Sequence, residues 1–247
     1  MCTLEKRGSI FFLTLTGATK KDQEHRLNPP LIAAIRAALA EVRSQAVPGS
    51  ALITQAEGRF FSNGFDLRHA QAVGAAAGSA DAAGAELLNM VDLFRGVVAD
   101  LLSLPMPTVA AVTGHAAAAG LILAMSHDYV VMKKSRAVLY LSELDIGMSL
   151  PDYFTALIKE KVGSSAARRE LALRAAKVDA EAAVRMGIVD AAYDSAEDVA
   201  AAAVRTAEEL GKKEWSGEAY AEIRKSLYPD VCSLLGLEEK AVMPSKL

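Results

Sequence analysis

Residues Thr108 to Val131, T-V-A-A-V-T-G-H-A-A-A-A-G-L-I-L-A-M-S-H-D-Y-V-V, carry an apolar strand through a tight corner and straight into a buried helix. Pro107 and the β-branched Thr108, Val109, Val112 and Thr113 suit a strand covered on both faces. Gly114 supplies a residue free to turn where a Cβ would clash. From Ala116 to Met125 there is no charge and most side chains are small, so the run predicts a helix that starts there and lets its first backbone approach another molecule closely. The leading N–H groups of such a helix lack intrahelical partners and point out of its end, where they would hold a developing negative charge. Tight packing in a core would use the same small residues, so a second feature must decide between the two readings.

That feature lies upstream, in Glu57-Gly58-Arg59-Phe60-Phe61-Ser62-Asn63-Gly64-Phe65-Asp66-Leu67. It follows a short strand, Ala51 to Thr54, and runs two aromatics into Asn-Gly and then Asp-Leu, which predicts a turn with exposed backbone before a helix starting near Asp66. The Phe65 N–H is then a free donor, and Asp66 reads as the N-cap. Further upstream, Ser9 to Thr16 reads as a strand closed by Gly17. Asn28 caps a helix whose first turn accepts Pro29 and Pro30, with Leu31, Ile35, Leu39 and Val42 on one face and Pro48-Gly49 at its end. Strand, helix and strand in succession imply a wound α/β core.

Between the two features, Gly74 to Ala85 is almost wholly Ala, Gly and Ser and reads as mobile or weakly helical, either a lid or a surface insertion without a role. Glu86 to Leu104 returns to helical spacing and is stopped by Pro105 and Pro107. Downstream, Asp128 to Met132 and Ala137 to Leu141 read as strands split by the basic turn Lys133 to Arg136. Then comes Ser142-Glu143-Leu144-Asp145-Ile146-Gly147, a carboxylate just after an apolar strand and in a segment rich in loop residues. The rest reads as helices over Ser165 to Ala176, Asp179 to Met186, Ala196 to Leu210 and Ser216 to Leu227, with a last short piece, so strands are expected only in the first part.

Composition sets the outer limits. A chain of 247 residues that is 52% hydrophobic and 23% charged is expected to be a soluble globular protein with a sizeable core, as one large domain or one domain plus an appendage. With a formal net charge of -3 and a pI of about 5.9, no global basic field draws it to nucleic acid or anionic lipid. Cys2 and Cys232 are too few and too far apart for a disulfide framework or a zinc site. No apolar run approaches a membrane span, and the opening M-C-T-L-E-K-R-G lacks a signal-peptide core. Ser245-Lys246-Leu247 form the tripeptide read by a peroxisomal import receptor, and Pro244 predicts an extended tail before it. Ser126, His127 and Asp128 are chain neighbours whose side chains cannot converge as a triad, and no G-x-S-x-G, P-loop, G-x-G-x-x-G or H-E-x-x-H is present. His115 and His127 read as packed or corner residues.

The F-S-N-G-F-D-L loop, the T-G-H-A-A-A-A-G-L-I-L-A-M-S-H-D strand and helix, and S-E-L-D-I-G with the later M-G-I-V-D together resemble the enoyl-CoA hydratase/isomerase, or crotonase, superfamily over nearly the whole chain. S-E-L-D-I-G most resembles the monofunctional Δ3,Δ2-enoyl-CoA isomerases, and the S-K-L ending resembles peroxisomal members of plant type. The resemblance implies an α/β fold, a crotonase-like spiral of β-β-α units with a helical C-terminal trimerisation region. It divides the chain into an acyl-CoA-binding core, 1–190, and a helical region, 191–247, that ends in the targeting tripeptide. It implies an oxyanion hole made by the backbone N–H groups of Phe65 and Ala119, a substrate channel lined by Ser62, Asn63, Gly64, Asp66 and Leu67, Arg26 near the phosphates or adenine, and Ser142 beside the acyl pocket. Ala118 and Ala119 depart from the family's usual run of glycines, and their methyls narrow the space near the thioester.

The family's hydratases use two glutamates, one to activate water and one to deliver a proton. The first position falls on Ile122, which transfers no proton. The second is Glu143. The resemblance thus implies an isomerase that converts 3-enoyl-CoA, cis or trans, to 2-trans-enoyl-CoA in β-oxidation of unsaturated fatty acids, with Glu143 moving a proton from C2 to C4. Asp145 and Asp152 are the nearest rival bases. No metal or redox cofactor is implied, coenzyme A being part of the substrate, and a homotrimer or hexamer is expected. A non-catalytic acyl-CoA-binding relative and a single-glutamate hydratase or hydrolase are the alternatives.

Overall fold

The computed structural model describes residues 1–17 and 23–243. Ser245, Lys246 and Leu247, the expected targeting tripeptide, lie outside the described residues, as does Pro244.

The chain opens with a hairpin, β1 (Cys2–Arg7) and β2 (Ile10–Leu15), followed by helix α1 (Pro29–Ser44) and strand β3 (Ala51–Ala56). Next come β4 (Phe60–Ser62), α2 (Leu67–Ala77), α3 (Ala80–Leu102), β5 (Thr108–Val112), β6 (His115–Ala117) and α4 (Ala119–Met125). The order continues with β7 (Tyr129–Lys133), β8 (Leu139–Tyr140), α5 (Asp152–Lys161), α6 (Ser165–Leu173), α7 (Ala180–Arg185) and β9 (Ala191–Tyr193). Three helices follow, α8 (Ala196–Gly211), α9 (Gly217–Leu227) and α10 (Pro229–Leu234).

Two sheets organise these elements. The larger has the order β1-β2-β3-β5-β7-β9, antiparallel at its first pair and parallel from β2 onward. The smaller has the order β4-β6-β8 and is parallel throughout. Three times the chain gives one strand to the large sheet, the next to the small sheet, and then turns into helix: β3-β4-α2, β5-β6-α4 and β7-β8-α5. That is the expected spiral of β-β-α units.

The large sheet is buried on both faces, as parallel sheets require. Phe11, Leu13, Leu52, Ala110, Val112, Val130 and Met132 point to the side of α1, α3, α4 and α5, while Phe12, Ile53, Val109, Ala111 and Val131 meet Val199, Ala203 and Ala207 of α8. Arg224 ties α9 to this core. Its guanidinium donates to both carboxylate oxygens of Asp128, at 2.6 and 2.7 Å, and to the carbonyls of Leu104 and Met106. This pairing holds the Asp128 carboxyl below its usual range despite burial. His127 spends its ring elsewhere: Nδ1 donates to the Leu123 carbonyl and Nε2 accepts from the Thr54 hydroxyl at 2.7 Å, and burial pushes its pKa down to about 4. Ser126 donates to the Ile122 carbonyl, so the three neighbours face three different ways.

Several expectations are corrected. The helix after Gly114 starts at Ala119, because His115, Ala116 and Ala117 pair with β4 and β8 as a strand. Gly74 to Ala85 is two helix ends rather than a weakly helical run: Gly78, at φ 64°, ends α2, and the Ser79 hydroxyl accepts from Ala82 N–H to start α3. The two helices pack at Gly74, where a Cβ would come within 2.6 Å of the Ala83 Cβ. Strands also extend past the first part, since β9 joins the large sheet beside β7. Strand β1 and helix α5 had no reading in the sequence: β1 is mostly exposed, and α5 lacks a side-chain cap.

Candidate active site

The small sheet assembles the site. Its three strands are parallel, so their C-terminal ends lie along one edge, and each is followed within three residues by a group the sequence singled out. Phe65 follows β4, Ala119 follows β6, and Glu143 follows β8. The Ala118 N–H donates to the Tyr140 carbonyl at 2.9 Å, which carries the sheet pairing up to the helix start.

The first donor is fixed by a second backbone link. Leu27 N–H donates to the Gly64 carbonyl at 2.8 Å and Asp66 N–H donates to the Leu27 carbonyl at 3.1 Å, so Phe65 sits opposite Leu27 as in a short parallel bridge. Asp66 caps α2 as expected, accepting from the His69 N–H, and its other oxygen accepts from the Asn28 side chain at 3.1 Å. Asn28 also caps α1 by accepting from Leu31 N–H. One asparagine therefore locks the start of α1 to the loop that holds Phe65, a role that its reading as a cap alone did not reveal.

The second donor lies against the first. Gly64 has φ 71°, and a Cβ there would come within 3.0 Å of the Ala117 carbonyl oxygen and 3.4 Å of the Ala119 nitrogen. The Phe65 loop and the α4 start are thus in contact, and only glycine permits it. Among the described residues, neither the Phe65 N–H nor the Ala119 N–H is donated to an acceptor. Gly120 closes the packing, since a Cβ on it would lie 2.3 Å from the Ser62 carbonyl oxygen.

The alanines that replace glycines divide into two cases. Ala119 is helical and buried, so its methyl costs the backbone nothing. Ala118, the N-cap of α4, stands at φ 50° and ψ -125°, a region that L side chains rarely occupy. Ala118→Gly is expected to raise stability by about 1 kcal/mol, the relief of strain exceeding the extra chain entropy of glycine. A lower denaturation midpoint in that variant would contradict the strain.

Glu143 is 6% exposed and is the one carboxylate among the described buried polar residues. Its Oε2 has no hydrogen-bond partner. Burial pushes its pKa above the ordinary value of 4.5, against weaker opposing help from the backbone of Ser142 and of Glu143 itself. The loop that bears it is held by the Met148 N–H, which donates to the Glu143 carbonyl at 2.8 Å. The rival carboxylates are placed differently. Asp145 is exposed, and Asp152 is exposed and paired with Arg95 of α3 at 2.9 Å while accepting from the Tyr153 N–H. Ile122 is fully buried in α4.

The remaining expected contacts vary. Asn63, Leu67 and Ser142 are half-buried near the strand ends. Ser62 is buried and its hydroxyl donates to the His25 carbonyl at 2.7 Å. Arg26 donates to Glu24 at 2.6 Å, beside the Leu27 link. Among the described residues no cluster of three or more His, Cys, Asp or Glu is placed to hold a metal ion, and no helix is long and apolar enough to cross a membrane.

Comparison with known proteins shows the family to which the chain belongs. The chain is 59% identical to a protein of Arabidopsis thaliana named peroxisomal enoyl-CoA delta isomerase 2, over 100% of both chains. It is 54% identical to enoyl-CoA delta isomerase 3 of the same plant, over 96% of each. Among solved structures, the apo form of an enoyl-CoA isomerase of Mtb superposes with a TM-score of 0.79 over 95% of this chain and 94% of that one, at 24% identity, a likeness of fold. Residues 6–233, which span both oxyanion-hole candidates, Glu143 and all three β-β-α units, match the family described as enoyl-CoA hydratase/isomerase, and the chain belongs to that family.

Proposed function

We infer that the chain is an enoyl-CoA isomerase that moves the double bond of 3-enoyl-CoA, cis or trans, to the 2-trans position in β-oxidation of unsaturated fatty acids, and that it works in the peroxisome. The observation that supports the chemistry best is the buried carboxyl of Glu143, with one oxygen unpaired, on the sheet edge that also bears two undonated N–H groups.

In this reading the thioester oxygen accepts from the N–H groups of Phe65 and Ala119. A proton at C2, between the thioester and the C3=C4 bond, is acidified by both. Glu143 removes it, leaving a dienolate whose negative oxygen the two donors hold, each typically contributing about 2.7–4 kcal/mol at the transition state. Glu143 then returns the proton to C4 and the double bond comes to rest between C2 and C3. The proton count is unchanged, and neither a metal nor a redox cofactor enters the scheme. Ile122 puts a hydrocarbon side chain where a hydratase carries the carboxylate that activates water.

The raised pKa of Glu143 has a kinetic consequence. The base must be ionised, so the acid limb of kcat/KM is expected to fall with decreasing pH around a midpoint above 4.5, and Glu143→Gln removes that limb. The linked stability term has the opposite sense: a carboxyl with a raised folded-state pKa costs stability when ionised, and the protein regains it as pH falls through that pKa. A pH–rate profile with its acid limb at or below 4.5 would refute the assignment.

Product analysis tests the reaction. With 3-enoyl-CoA the expected product is 2-trans-enoyl-CoA alone. Accumulation of 3-hydroxyacyl-CoA or free CoA would favour the hydratase or hydrolase, and binding without turnover the non-catalytic relative. Asn63, Gly64, Asp66, Leu67 and Ser62 are proposed to line the channel, Ser142 the acyl pocket, and Arg26 to meet the CoA phosphates or adenine. The tripeptide Ser245-Lys246-Leu247 is proposed as the ligand of the import receptor. The region from 191 onward is proposed to assemble trimers or hexamers, supported by the exposed Trp215, Ile223 and Leu227 on and beside α9; a monomeric mass by light scattering would overturn that assignment.

A further inference from the structure

The side chain of Phe65 leads away from the backbone donor it carries. Its ring meets Phe94 of α3 edge-on, with centroids 5.7 Å apart, and stacks on Phe154 of α5 at 6.2 Å and 16°. Phe94 and Phe154 also meet each other edge-on at 6.2 Å, which closes a triangle of three rings. Phe94 and Phe154 are fully buried, whereas Phe65 is half-buried.

The triangle is itself braced. Tyr153 packs edge-on to Phe154 at 4.9 Å and its hydroxyl donates to the Val91 carbonyl of α3 at 2.8 Å. Arg95 of α3 lies over the Tyr153 ring at 4.8 Å and donates to Asp152 at the start of α5. Helices α3 and α5 are thereby fixed to each other one turn from the rings. Helix α5 is the next element after the loop that bears Glu143, so the rings join the donor loop to the element that anchors the base.

Backbone hydrogen bonds tie the Phe65 loop to Leu27, and the Phe65 carbonyl accepts from the Leu67 N–H at 3.0 Å. Such bonds set the path of the loop, and a misplacement of about 1 Å in a donor or base can cost roughly two orders of magnitude in rate. Edge-on and stacked rings have preferred geometries that an aliphatic filler of the same pocket lacks.

We propose that Phe94 and Phe154 are positioning residues that act through the Phe65 ring to hold the oxyanion-hole N–H in register with the Glu143 loop. The proposal rests on the reading of Phe65 as an oxyanion donor and goes beyond it by assigning its alignment to two side chains that touch no substrate.

Kinetics of Phe94→Leu, Phe154→Leu, Phe65→Leu and the double variant Phe65→Leu/Phe154→Leu test it, with Phe12→Leu in the opposite core layer as a control and Gly64→Ala beside them. Each ring variant is expected to lower kcat about tenfold with KM within about twofold, and the double variant to cost no more than the worse single, because both break one linkage. Phe12→Leu is expected to lower the thermal midpoint comparably and leave kcat unchanged. The proposal is overturned if kcat of Phe94→Leu and Phe154→Leu stays within twofold of the parent, if the double variant is fully additive, or if Phe12→Leu loses kcat equally. Should one buried variant fail to fold, the half-buried Phe65→Leu and the other single carry the comparison. A Gly64→Ala variant that loses kcat while the ring variants are unaffected sinks this proposal alone, whereas a fully active Gly64→Ala sinks the reading of Phe65 as a donor beneath it.

Discussion

Glu143→Gln is expected to lower kcat by roughly 10²- to 10⁴-fold, towards the upper end because in the proposed scheme one carboxyl serves both proton transfers. The amide fills the same volume but neither accepts the C2 proton nor returns it at C4. Substrate binding does not use the charge, so KM should move little, the pattern of a group whose contribution is made in the transition state. The same change should not destabilise the fold. The carboxyl is buried and one of its oxygens lacks a partner, so replacing an ion that burial disfavours with a neutral group leaves stability at neutral pH equal or higher. Lost activity with a thermal midpoint at or above that of the parent is the expected signature. Residual activity within tenfold of the parent would shift the proton transfers to another group.

Gly64→Ala is expected to cost roughly 10²- to 10³-fold in kcat, the loss associated with removing one oxyanion-hole donor. The methyl would lie 3.0 Å from both the Ala117 carbonyl oxygen and the Ala118 Cβ, tighter than ordinary contact, on a backbone at φ 71°. Relief requires the Phe65 loop and the α4 start to part, and those segments carry the two donors. Gly78→Ala separates the causes. Gly78 has nearly the same φ, 64°, but no neighbour within 4 Å of the added carbon. It should show the conformational penalty, about 1 kcal/mol of stability, with kcat unchanged. If both variants lose kcat equally, or neither does, contact between the two loops does not set the hole.

Much of this site could be read before any coordinates. Asn-Gly-Phe-Asp announces a turn and a helix cap, and Asp66 accepts from His69 as that pattern predicts. The uncharged, small-residue run after Gly114 predicts a buried helix that presents its first N–H groups, and Ala119 does so. The error there was of three residues. His115, Ala116 and Ala117 have no periodicity of their own, and alanine favours helix, yet pairing with β4 and β8 makes them strand. Gly74 to Ala85 misled for a related reason: composition reports weak intrinsic order, whereas the close approach of Gly74 to Ala83 stabilises two helices together. The aromatic triangle was out of reach, because Phe65, Phe94 and Phe154 are far apart in the chain and each reads singly as an ordinary apolar residue.

Residue chemistry, then, was determined by the sequence itself: a carboxylate at Glu143, a hydrocarbon at Ile122, free N–H groups at the two turns, and glycine where a backbone must come close. Their convergence was decided only by the tertiary structure. Strands of two or three residues carry no readable pattern, and β4, β6 and β8 exist because each supplies the others' hydrogen bonds across dozens of residues of intervening chain. The edge they form, rather than any one segment, is what the Glu143 carboxyl and the Phe65 and Ala119 N–H groups share.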